Sequence, residues 1–432
     1  MLKTINVIGG GLAGCEAAWQ LAGFGFQVNL FEMRPEHSSP AHCTGGLAEL
    51  VCSNSLHSSA PTTAPGLLKE EMQLLNSLII KTAFETSVPA GGALAVDRLA
   101  FSGKIEDSLS KLPQVKVFRQ KINSLSEFSL PAVLASGPLS EGPLFSEISQ
   151  ITGDSNLYFH DAVAPLVAGE SIDFAKSFWA GRYEQDADYL NLPMNHKEYD
   201  RFYQALINAE SYPRREFEKS IFFEGCLPVE VIAGRGRETL CFGPLKPVGL
   251  TSDKSVKAIV QLRKEDSTNQ AFNLVGFQTN LLIPEQKRIF RLIPGLENAE
   301  FLRFGKMHRN SYFNSPQILN QLEFIAIPGL FLSGQLTGVE GYCESASMGL
   351  AAAHYLYQKE KNVSIPFPPE SSIGSLINHL SLKQKFFNPM NINYSLYPPL
   401  EGKVRLKSEK KELIRQRALA SIKLYRQRLE LV

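Results

Sequence analysis

Three glycines close to the amino terminus have the spacing of a turn that binds the pyrophosphate of a dinucleotide. They follow an apolar run, Thr4 to Ile8, that predicts a buried strand, and they precede an Ala-rich run, Leu12 to Phe24, that predicts a helix. Such a turn presents backbone amides and the positive end of the helix dipole to an anion. The predicted cofactor-binding residues of the turn are Gly9, Gly10, Gly11, Leu12, Ala13 and Gly14.

An acidic residue ends the next predicted strand, Gln27 to Phe31. This residue, Glu32, lies eighteen positions after Gly14, where a carboxylate can accept hydrogen bonds from a ribose hydroxyl. We therefore predict that Glu32 binds the cofactor, and we add Arg34 to the same site. The spacing indicates a dinucleotide that contains ADP, but it does not separate FAD from NAD.

A second glycine-rich unit discriminates between these two cofactors. It follows a predicted strand, Gly329 to Ser333, and precedes a predicted helix, Ser345 to Tyr357. A second helix amino terminus suits the far end of a long cofactor, so FAD is favoured as the resident group. Taken alone, the stretch could equally be a loop that allows close packing. The predicted contacts from this unit and from the turn after a third strand, 131 to 135, are Gly334, Gln335, Gly341, Tyr342, Ser136 and Gly137.

Two of the six cysteines, Cys52 and Cys226, lie in segments without the periodicity of a helix core. A free cysteine is by default a small buried hydrophobe, and the alternative is a reactive thiol. The chain has no C-x-x-C pair, which argues against a disulfide framework, a zinc ribbon and a dithiol reductase. His42, Cys43, Cys52 and His57 could be drawn as a zinc site, but their spacing is wrong for known sets, so no metal is predicted.

Basic residues cluster in the second half of the chain, with Phe and Tyr between them. Such clusters can bind phosphates and stack bases, although they are more often solvated faces or ion pairs. As candidate RNA contacts we take Arg235, Arg237, Lys246, Lys287, Arg288, His308 and Arg309.

Strand-glycine-helix units at both ends of the chain predict an α/β fold: a discontinuous, doubly wound, Rossmann-like FAD-binding domain with an inserted α+β domain. We place the first part at residues 1–164, the insertion on the substrate side at 165–300, and the second part at 301–432. Gly66 to Ile80 predicts one further helix, with Leu67, Leu68, Met72, Leu75 and Ile79 on its apolar face.

Composition excludes several classes of protein. The chain of 432 residues is 44% hydrophobic with a formal charge of +1, so its bulk charge indicates no polyanion partner. No segment has the apolar length of a membrane span or the form of a signal peptide, and the sparse thiols favour the cytoplasm. The last thirty residues contain ten Lys or Arg and three Glu. They predict a basic amphipathic helix, either solvated or facing RNA, with its apolar positions at Leu413, Ala420, Leu424 and Leu431.

Eleven strings together resemble the folate- and FAD-dependent tRNA (uracil-5-)-methyltransferases over nearly the whole chain. The combination is far more specific than the glycine turn alone. The strings are GGGLAGCEAAWQLA, LFEMRP, PAHCTGGLAELVCSNSL, GLLKEEM, PAGGALAVDR, FFEGCLPVEV, RGRETLCFGPLKPVGL, NLVGFQT, EQKRIFRLIPGLENAEFLRFGKMHRN, GQLTGVEGYCESAS and FFNPMNINYSLYPPL.

The resemblance implies an activity and assigns roles. Members of the family use 5,10-methylenetetrahydrofolate, with electrons from NADH or NADPH passing through FAD, to make 5-methyluridine in the T-loop of tRNA. It implies that Cys226 is the nucleophile that adds to C6 of uracil, where a thiolate gives C5 the electron density it lacks. Cys52 is implied to be a second functional cysteine, in proton transfer at C5 or in protecting the activated flavin. The resemblance implies no obligate protein partner and no membrane.

The sequence departs from the family pattern at three positions, none of them in the glycine turns or beside the two cysteines. Leu192 stands where Cys is usual, Gly181 stands where Ser precedes an Arg-Tyr pair, and Gly234 stands where Ala or Ser is common. The alternatives are the same chemistry on ribosomal RNA, an FAD enzyme that modifies wobble uridine with aminomethyl groups, a non-catalytic flavin- or RNA-binding module, and a generic NAD(P)H oxidoreductase. The strings do not decide between tRNA and ribosomal RNA.

Overall fold

The structure is a computed structural model that describes residues 3–39, 41–140, 142–153, 157–184, 186–212, 227–384, 387–402 and 404–431. The described strands are β1 Thr4–Ile8, β2 Gln27–Glu32, β3 Ser55–Ser58, β4 Ser87–Val88, β5 Ala93–Val96, β6 Val115–Arg119, β7 Ala132–Leu134, β8 Leu157–Val163, β9 Leu166–Ala168, β10 Phe178–Ala180, β11 Tyr189–Asn195, β12 Val256–Lys264, β13 Ala271–Leu274, β14 Phe301–Arg303, β15 Lys306–Tyr312, β16 Leu319–Asn320, β17 Glu323–Phe324 and β18 Leu330–Leu332.

The helices of the same ranges are α1 Leu12–Gly23, α2 Ala64–Leu74, α3 Leu78–Glu85, α4 Arg98–Ser110, α5 Pro143–Thr152, α6 His196–Ile207, α7 Val229–Gly234, α8 Thr239–Phe242, α9 Ile283–Phe290, α10 Ser315–Ile318, α11 Tyr342–Glu360, α12 Ser372–Ser381 and α13 Lys407–Glu430.

The larger sheet has seven strands in the order β16-β17-β18-β7-β1-β2-β6. Its five strands from β18 to β6 are mutually parallel, and β16 and β17 add an antiparallel edge. β1 and β7 are almost completely buried, as expected for a parallel sheet covered on both faces. The predicted parallel α/β fold is therefore confirmed, and the carboxyl ends of β1, β2, β6, β7 and β18 meet along one edge.

A glycine contact brings the two ends of the chain together beside this sheet. α1 packs along α11, and a Cβ atom on Gly349 of α11 would lie 2.1 Å from the backbone oxygen of Ala13 in α1. Only glycine permits this approach. The approach places the amino termini of α1 and α11 on the same side of the sheet, although more than three hundred residues separate them in the chain.

The seven-stranded sheet and its helices form the first body of the molecule. The second body is a six-stranded sheet, β10-β11-β12-β13-β9-β14, with its own hydrophobic core. An antiparallel ribbon of β8 and β15 lies where the chain leaves the first body and where it returns. The two bodies also touch directly, because the Tyr189 hydroxyl donates a hydrogen bond to the Ala90 carbonyl oxygen at 2.9 Å. The strand pairing defines the two sheets and does not test where one domain ends and the next begins. The domain boundaries given above therefore stay a prediction.

The prediction of a single helix from Gly66 to Ile80 is wrong. The structure has two helices, α2 and α3, separated by a turn in which Asn76 adopts a left-handed conformation with φ 57°. Ser77 caps α3 by accepting a hydrogen bond from the Ile80 amide at 3.2 Å. The buried carboxylate of Glu16 in α1 accepts hydrogen bonds from the Ser77 hydroxyl at 2.7 Å and from the Ile79 amide at 3.0 Å. A contact with a remote helix therefore decides the break.

The predicted carboxy-terminal helix is confirmed as α13, but the prediction of which residues form its buried apolar face is wrong. Leu413, Ala420, Leu424 and Leu431 are exposed. The face that packs on the protein belongs to a different stripe, whose members recur every three or four residues. It consists of Ile414, Ala418, Ile422, Tyr425 and Leu429.

A buried glutamate joins α2 to the amino terminus of α12. The carboxylate of Glu71 accepts hydrogen bonds from the Ser372 amide and hydroxyl, both at 2.7 Å, and from the Ile373 amide at 3.2 Å. Burial raises the pKa of Glu71 to about 8, although these donors oppose the shift. The folded protein therefore takes up a proton at this carboxyl group more readily than the unfolded chain does.

This shift predicts how stability changes with pH. A carboxyl group whose pKa is raised by folding stabilises most below its unfolded pKa, and the contribution is lost as pH rises through the folded value. Replacing Glu71→Gln removes the titration, so the free energy of unfolding of wild type relative to the variant should fall by roughly 4 kcal/mol between pH 4.5 and pH 8. Urea unfolding at several pH values measures this. Glu70→Gln, at a partly exposed carboxylate paired with Arg415, is the control, and parallel curves for wild type and Glu71→Gln would contradict the prediction.

Candidate active site

The turn between β1 and α1 has the geometry of an anion cradle. Gly9 has φ 107°, and a Cβ atom on Gly14 would lie 1.8 Å from the Gly9 oxygen, so both positions require glycine. Gly11 caps α1 without any side-chain hydrogen bond. A Cβ atom on Gly11 would meet no atom within 4 Å. The free amides of the helix terminus therefore face open space into which a phosphate can enter.

Glu32 lies beside this turn, at the end of β2. Its carboxylate accepts hydrogen bonds from the Gly10 amide at 2.9 Å and from the Arg34 side-chain Nε at 2.9 Å. Arg34 also pairs with Glu49 at 2.8 Å, and its side chain is 1% exposed. Burial alone would raise the pKa of Glu32, but the hydrogen bonds and charge of Arg34 outweigh burial and lower the pKa. Glu32 is therefore a carboxylate at neutral pH, as a ribose-binding acceptor must be.

A cavity of about 560 Å³ opens over these residues, within the size range of cofactor sites. Among the predicted cofactor-binding residues, Gly14 and Gly341 do not line it. Gly14 packs below Gly9, and Gly341, with φ 110°, caps α11. The predicted residues that do line the cavity are Gly9, Gly10, Gly11, Leu12, Ala13, Glu32, Arg34, Ser136, Gly137, Gly334, Gln335 and Tyr342.

Sequence reasoning missed part of the cavity wall. Gln120, Lys121 and Ile122 follow β6 directly and line the cavity at the same sheet edge as the glycine turn. A strand followed by polar residues is the pattern that could have indicated a binding role for this segment. The sequence does not show, however, that β6 lies next to β2 in the sheet. His37 to Ser39 and His42, in the loop after β2, were likewise not predicted as cofactor contacts.

Cys52 lies beside the cavity in a segment that other side chains hold in place. The Cys52 amide donates to the hydroxyl oxygen of Tyr342 at 2.8 Å, and both Tyr342 and Val51 line the cavity. Arg98 donates to the Cys52 carbonyl oxygen at 3.0 Å, and Arg303 donates to the same oxygen at 3.1 Å. Two guanidinium groups and a phenol thus fix the backbone of Cys52, one residue from the Val51 that lines the cavity.

The two guanidinium groups connect the two bodies of the molecule. Arg98 also donates to the Leu50 carbonyl oxygen and forms an ion pair with Glu265, which follows β12. Arg303 belongs to β14 of the six-stranded sheet. Neither arginine was singled out in the sequence, because the letters alone do not distinguish a buried arginine from a surface one.

Burial sets the protonation states around Cys52. It raises the pKa of the Cys52 thiol, and the negative charge of Asp161 adds to the effect. Burial also raises the pKa of the Tyr342 hydroxyl. Burial lowers the pKa of His308 to about 4, and the charges of Lys306 and Arg303 lower it further. At neutral pH the cysteine is therefore a thiol, the tyrosine a phenol, and His308 an uncharged imidazole.

Comparison with known proteins gives the family. Residues 4–364 match the profile of the family described as glucose inhibited division protein A, GIDA. The methylenetetrahydrofolate–tRNA-(uracil-5-)-methyltransferase TrmFO of Heliobacterium modesticaldum is 51% identical over 426 residues, which cover 97% of each chain. The enzyme of the same name from Listeria innocua is 51% identical over 433 residues, covering 98% of this chain and 99% of the relative. The chain belongs to the TrmFO family.

A solved structure supports the fold of this TrmFO-family chain. GidA of Aquifex aeolicus, in its form I crystal, superposes with a TM-score of 0.71 at 17% sequence identity. The superposition covers 100% of this chain and 76% of GidA. Because the identity is low, the likeness shows the fold alone.

The predicted nucleophile of the TrmFO-family chain, Cys226, lies outside the described residues. Its role and its surroundings stay a prediction.

The predicted RNA-contacting residues do not line the cavity. Several are engaged with neighbouring side chains: Arg237 pairs with Asp200 and Glu238, and Arg288 pairs with Glu285. Others lie over aromatic rings, with the Lys287 Nζ 5.3 Å from the Phe304 ring centroid and the Arg309 Cζ 4.1 Å from that of Tyr158. Lys246 donates to the Tyr183 hydroxyl at 3.1 Å, and Arg235 is exposed. Their role in binding RNA stays a prediction.

Two further properties concern only the described part of the TrmFO-family chain. There, no three or more His, Cys, Asp or Glu side chains are arranged so that they could hold a metal ion. Within the same ranges, no helix combines the length and apolar character needed to cross a bilayer.

The glycine geometry predicts that cofactor binding and folding can be separated. In Gly11→Val the new side chain enters the cavity from extended backbone, so the protein should lose its bound dinucleotide and melt near the temperature of flavin-free wild type. Gly14→Ala should instead lower stability by at least about 2 kcal/mol, because the methyl group meets the Gly9 oxygen. FAD fluorescence after denaturation and thermal unfolding provide the two measurements. Gly23→Ala, where a Cβ atom meets nothing within 4 Å, is the control. A flavin-replete Gly11→Val protein would refute the cradle.

Proposed function

We propose that this protein methylates C5 of a uridine in tRNA. The overall reaction consumes uridine, 5,10-methylenetetrahydrofolate, NADH or NADPH and a proton, and it yields 5-methyluridine, tetrahydrofolate and the oxidised nicotinamide. The carbon comes from the folate, and the hydride that completes the methyl group comes from the nicotinamide through FAD. The T-loop uridine is the position that the sequence resemblance implies.

The observation that carries this proposal is the identity of about half the residues over nearly the full length of relatives whose names specify the reaction. Such coverage includes both glycine units, Cys52 and the inserted region. The relatives are named for tRNA, so we propose tRNA as the substrate in preference to ribosomal RNA. A cavity of cofactor size with Cys52 held beside it supports an enzyme, in preference to a binding module.

The residues present fit FAD as the resident cofactor. The open space at Gly11, the uncapped start of α1 and the second helix amino terminus at Tyr342 lie on one cavity of suitable size. When bound there, FAD would supply redox chemistry between the nicotinamide and the one-carbon unit. Glu32 would accept hydrogen bonds from the ribose, and the amides after Gly10 would bind the pyrophosphate.

Covalent catalysis by Cys226 is the part of the proposal that concerns the base. Its thiolate would add to C6 of uracil, and the electron pair of the C5–C6 double bond would move to C5 and O4. C5 can then bond to the one-carbon unit. The bond from that carbon to its carrier breaks, and the hydride that originates from the nicotinamide completes the methyl group. Loss of the C5 proton and departure of the thiolate restore the double bond. The uracil must leave its stack to reach the site.

Cys52 suits a different task from Cys226. Burial raises the pKa of its thiol and keeps it protonated, so Cys52 at rest is a poor nucleophile. Its backbone is fixed on both sides, through the amide to Tyr342 and through the carbonyl oxygen to Arg98 and Arg303. We propose that it acts in proton transfer at C5 of uracil or in protecting the activated flavin.

We propose the cytoplasm as the site of action, since the described cysteines are free thiols. No protein partner is proposed. We assign no residue to the binding of the nicotinamide, so NADH and NADPH are both kept as the reductant.

The reaction class is tested by release of tritium from RNA labelled at C5 of uracil. Release requires attack at C5 and loss of its proton, so it should depend on methylenetetrahydrofolate and on a reductant. Transcripts of tRNA and of ribosomal RNA are compared in parallel. Absence of release with folate and reductant both present would refute the proposed function.

Replacing the proposed nucleophile predicts a selective loss. Cys226→Ala should retain the yellow flavin spectrum and lose methylation by a factor of at least about 1,000, since the covalent route is removed. Absorbance and single-turnover methylation provide the measurements. Cys43→Ala, at an exposed free cysteine, is the control and should remain active. A Cys226→Ala protein that loses FAD would indicate a structural role for the cysteine.

A further inference from the structure

An exposed tyrosine of the inserted region has a backbone conformation that side chains of its size rarely adopt. Tyr183 has φ 55° and ψ 48°, in the left-handed region, and it is 63% exposed. Such a conformation persists only where the surrounding structure imposes it, and it is concentrated at functional sites. Since the ring contributes little to the core, burial does not explain the conformation.

Arg182, the preceding residue, imposes this conformation by joining two segments. Its guanidinium group donates to the carbonyl oxygens of Lys246 at 2.7 Å and Val248 at 2.9 Å, and to the Gln261 side chain at 3.0 Å. The Tyr183 amide donates to the Gly249 carbonyl oxygen at 2.9 Å. The Arg-Tyr pair and the string GPLKPVGL are therefore parts of one structural unit.

One side of the Tyr183 ring is supported by this unit. A Cβ atom on Gly249 would lie 2.9 Å from the ring carbon Cε1, so the ring rests directly on glycine backbone. Lys246 donates to the hydroxyl group at 3.1 Å, and its ammonium group lies 5.8 Å from the ring centroid. The ring is thus held in a fixed orientation with most of its surface open to solvent.

The segment that supports the ring is basic and carries exposed apolar side chains. Its Arg237 and Lys257 pair with carboxylates, and Lys246 is the cation at the ring. Residues 235–257 carry five Lys or Arg and two Asp or Glu, in a chain whose total formal charge is +1. Within this segment, Phe242 is 80% exposed and Val248 is 56% exposed. Open aromatic faces beside lysine ammonium groups are the combination that binds single-stranded nucleic acid, where bases stack and phosphates are neutralised.

We propose that Tyr183 is a stacking platform for an unpaired base of the RNA substrate and that Lys246 binds an adjacent phosphate. The inference rests on the proposed function for the identity of the RNA. It assigns to Tyr183 a role in binding substrate, separate from the chemistry at the cavity. The left-handed backbone is then the cost of presenting a rigid ring to the base.

Binding of an unmodified tRNA transcript to the full-length holoenzyme tests the platform. Tyr183→Ala should raise the dissociation constant about tenfold, whereas Tyr183→Phe, which keeps the ring, should change it less than about twofold. Lys246→Gln should weaken binding and lower the slope of log affinity against log salt by about one, while Tyr183→Ala should leave that slope unchanged.

A second substitution separates binding from folding. Glycine adopts the left-handed conformation freely, so Tyr183→Gly should melt at or above the wild-type temperature while binding tRNA as weakly as Tyr183→Ala. Flavin content should remain that of wild type in both variants. Wild-type affinity in both Tyr183→Ala and Tyr183→Gly would overturn the platform.

A failure of the stacking platform can be distinguished from a failure of the proposed methylation activity. If wild type binds tRNA without methylating it, the proposed function fails, and the effects of Tyr183 on binding still decide the platform. If the methylation activity exists, Tyr183→Ala should raise KM for tRNA with kcat at saturation nearly unchanged. A fall in kcat alone would contradict a binding role.

Discussion

The structure depends on one backbone contact, the approach of α11 to α1 where Gly349 meets Ala13. These helices belong to opposite ends of the sequence, and their contact closes the discontinuous sheet by placing β18 beside β7. Any side chain at position 349 would separate the helices, because the facing atoms are backbone and cannot rotate away. The cavity exists because both helix amino termini then open on the same space.

A second constraint lies between the two bodies. The segment around Cys52 is bound on one side by Tyr342, at the start of α11, and on the other by Arg98 and Arg303. Glu265 balances the charge of Arg98, so the ion pair crosses from the first body to the six-stranded sheet. The position of one thiol therefore depends on the relative placement of both bodies. This arrangement suits a reaction in which an RNA base has to meet a cofactor at their junction.

Local patterns predicted the elements well where a single run of residues determines the structure. The bounds of β1 agree with the predicted run from Thr4 to Ile8, and the glycine turn lies where its spacing indicated. The helix at Gly66 to Ile80 failed because Asn76 and Ser77 are stabilised by Glu16 from another helix. The face of α13 failed because two apolar stripes share that helix, and only packing decides between them.

The candidate site shows the same division. The spacing of the glycines and of Glu32 is enough to predict that they bind a dinucleotide. The burial of Arg98 and Arg303 and the left-handed backbone of Tyr183 depend instead on contacts between distant segments, which the sequence does not show. Cys226 and the domain boundaries stay predictions.

The order of strands in the larger sheet has a consequence for synthesis on the ribosome. β7 leaves the exit tunnel with one edge paired to β1, while its other edge awaits β18, about two hundred residues later. During that interval the nascent chain carries an open, apolar strand edge of the kind that promotes aggregation. The whole insertion must be translated before this edge is covered, so chaperone demand should be highest while ribosomes traverse its codons.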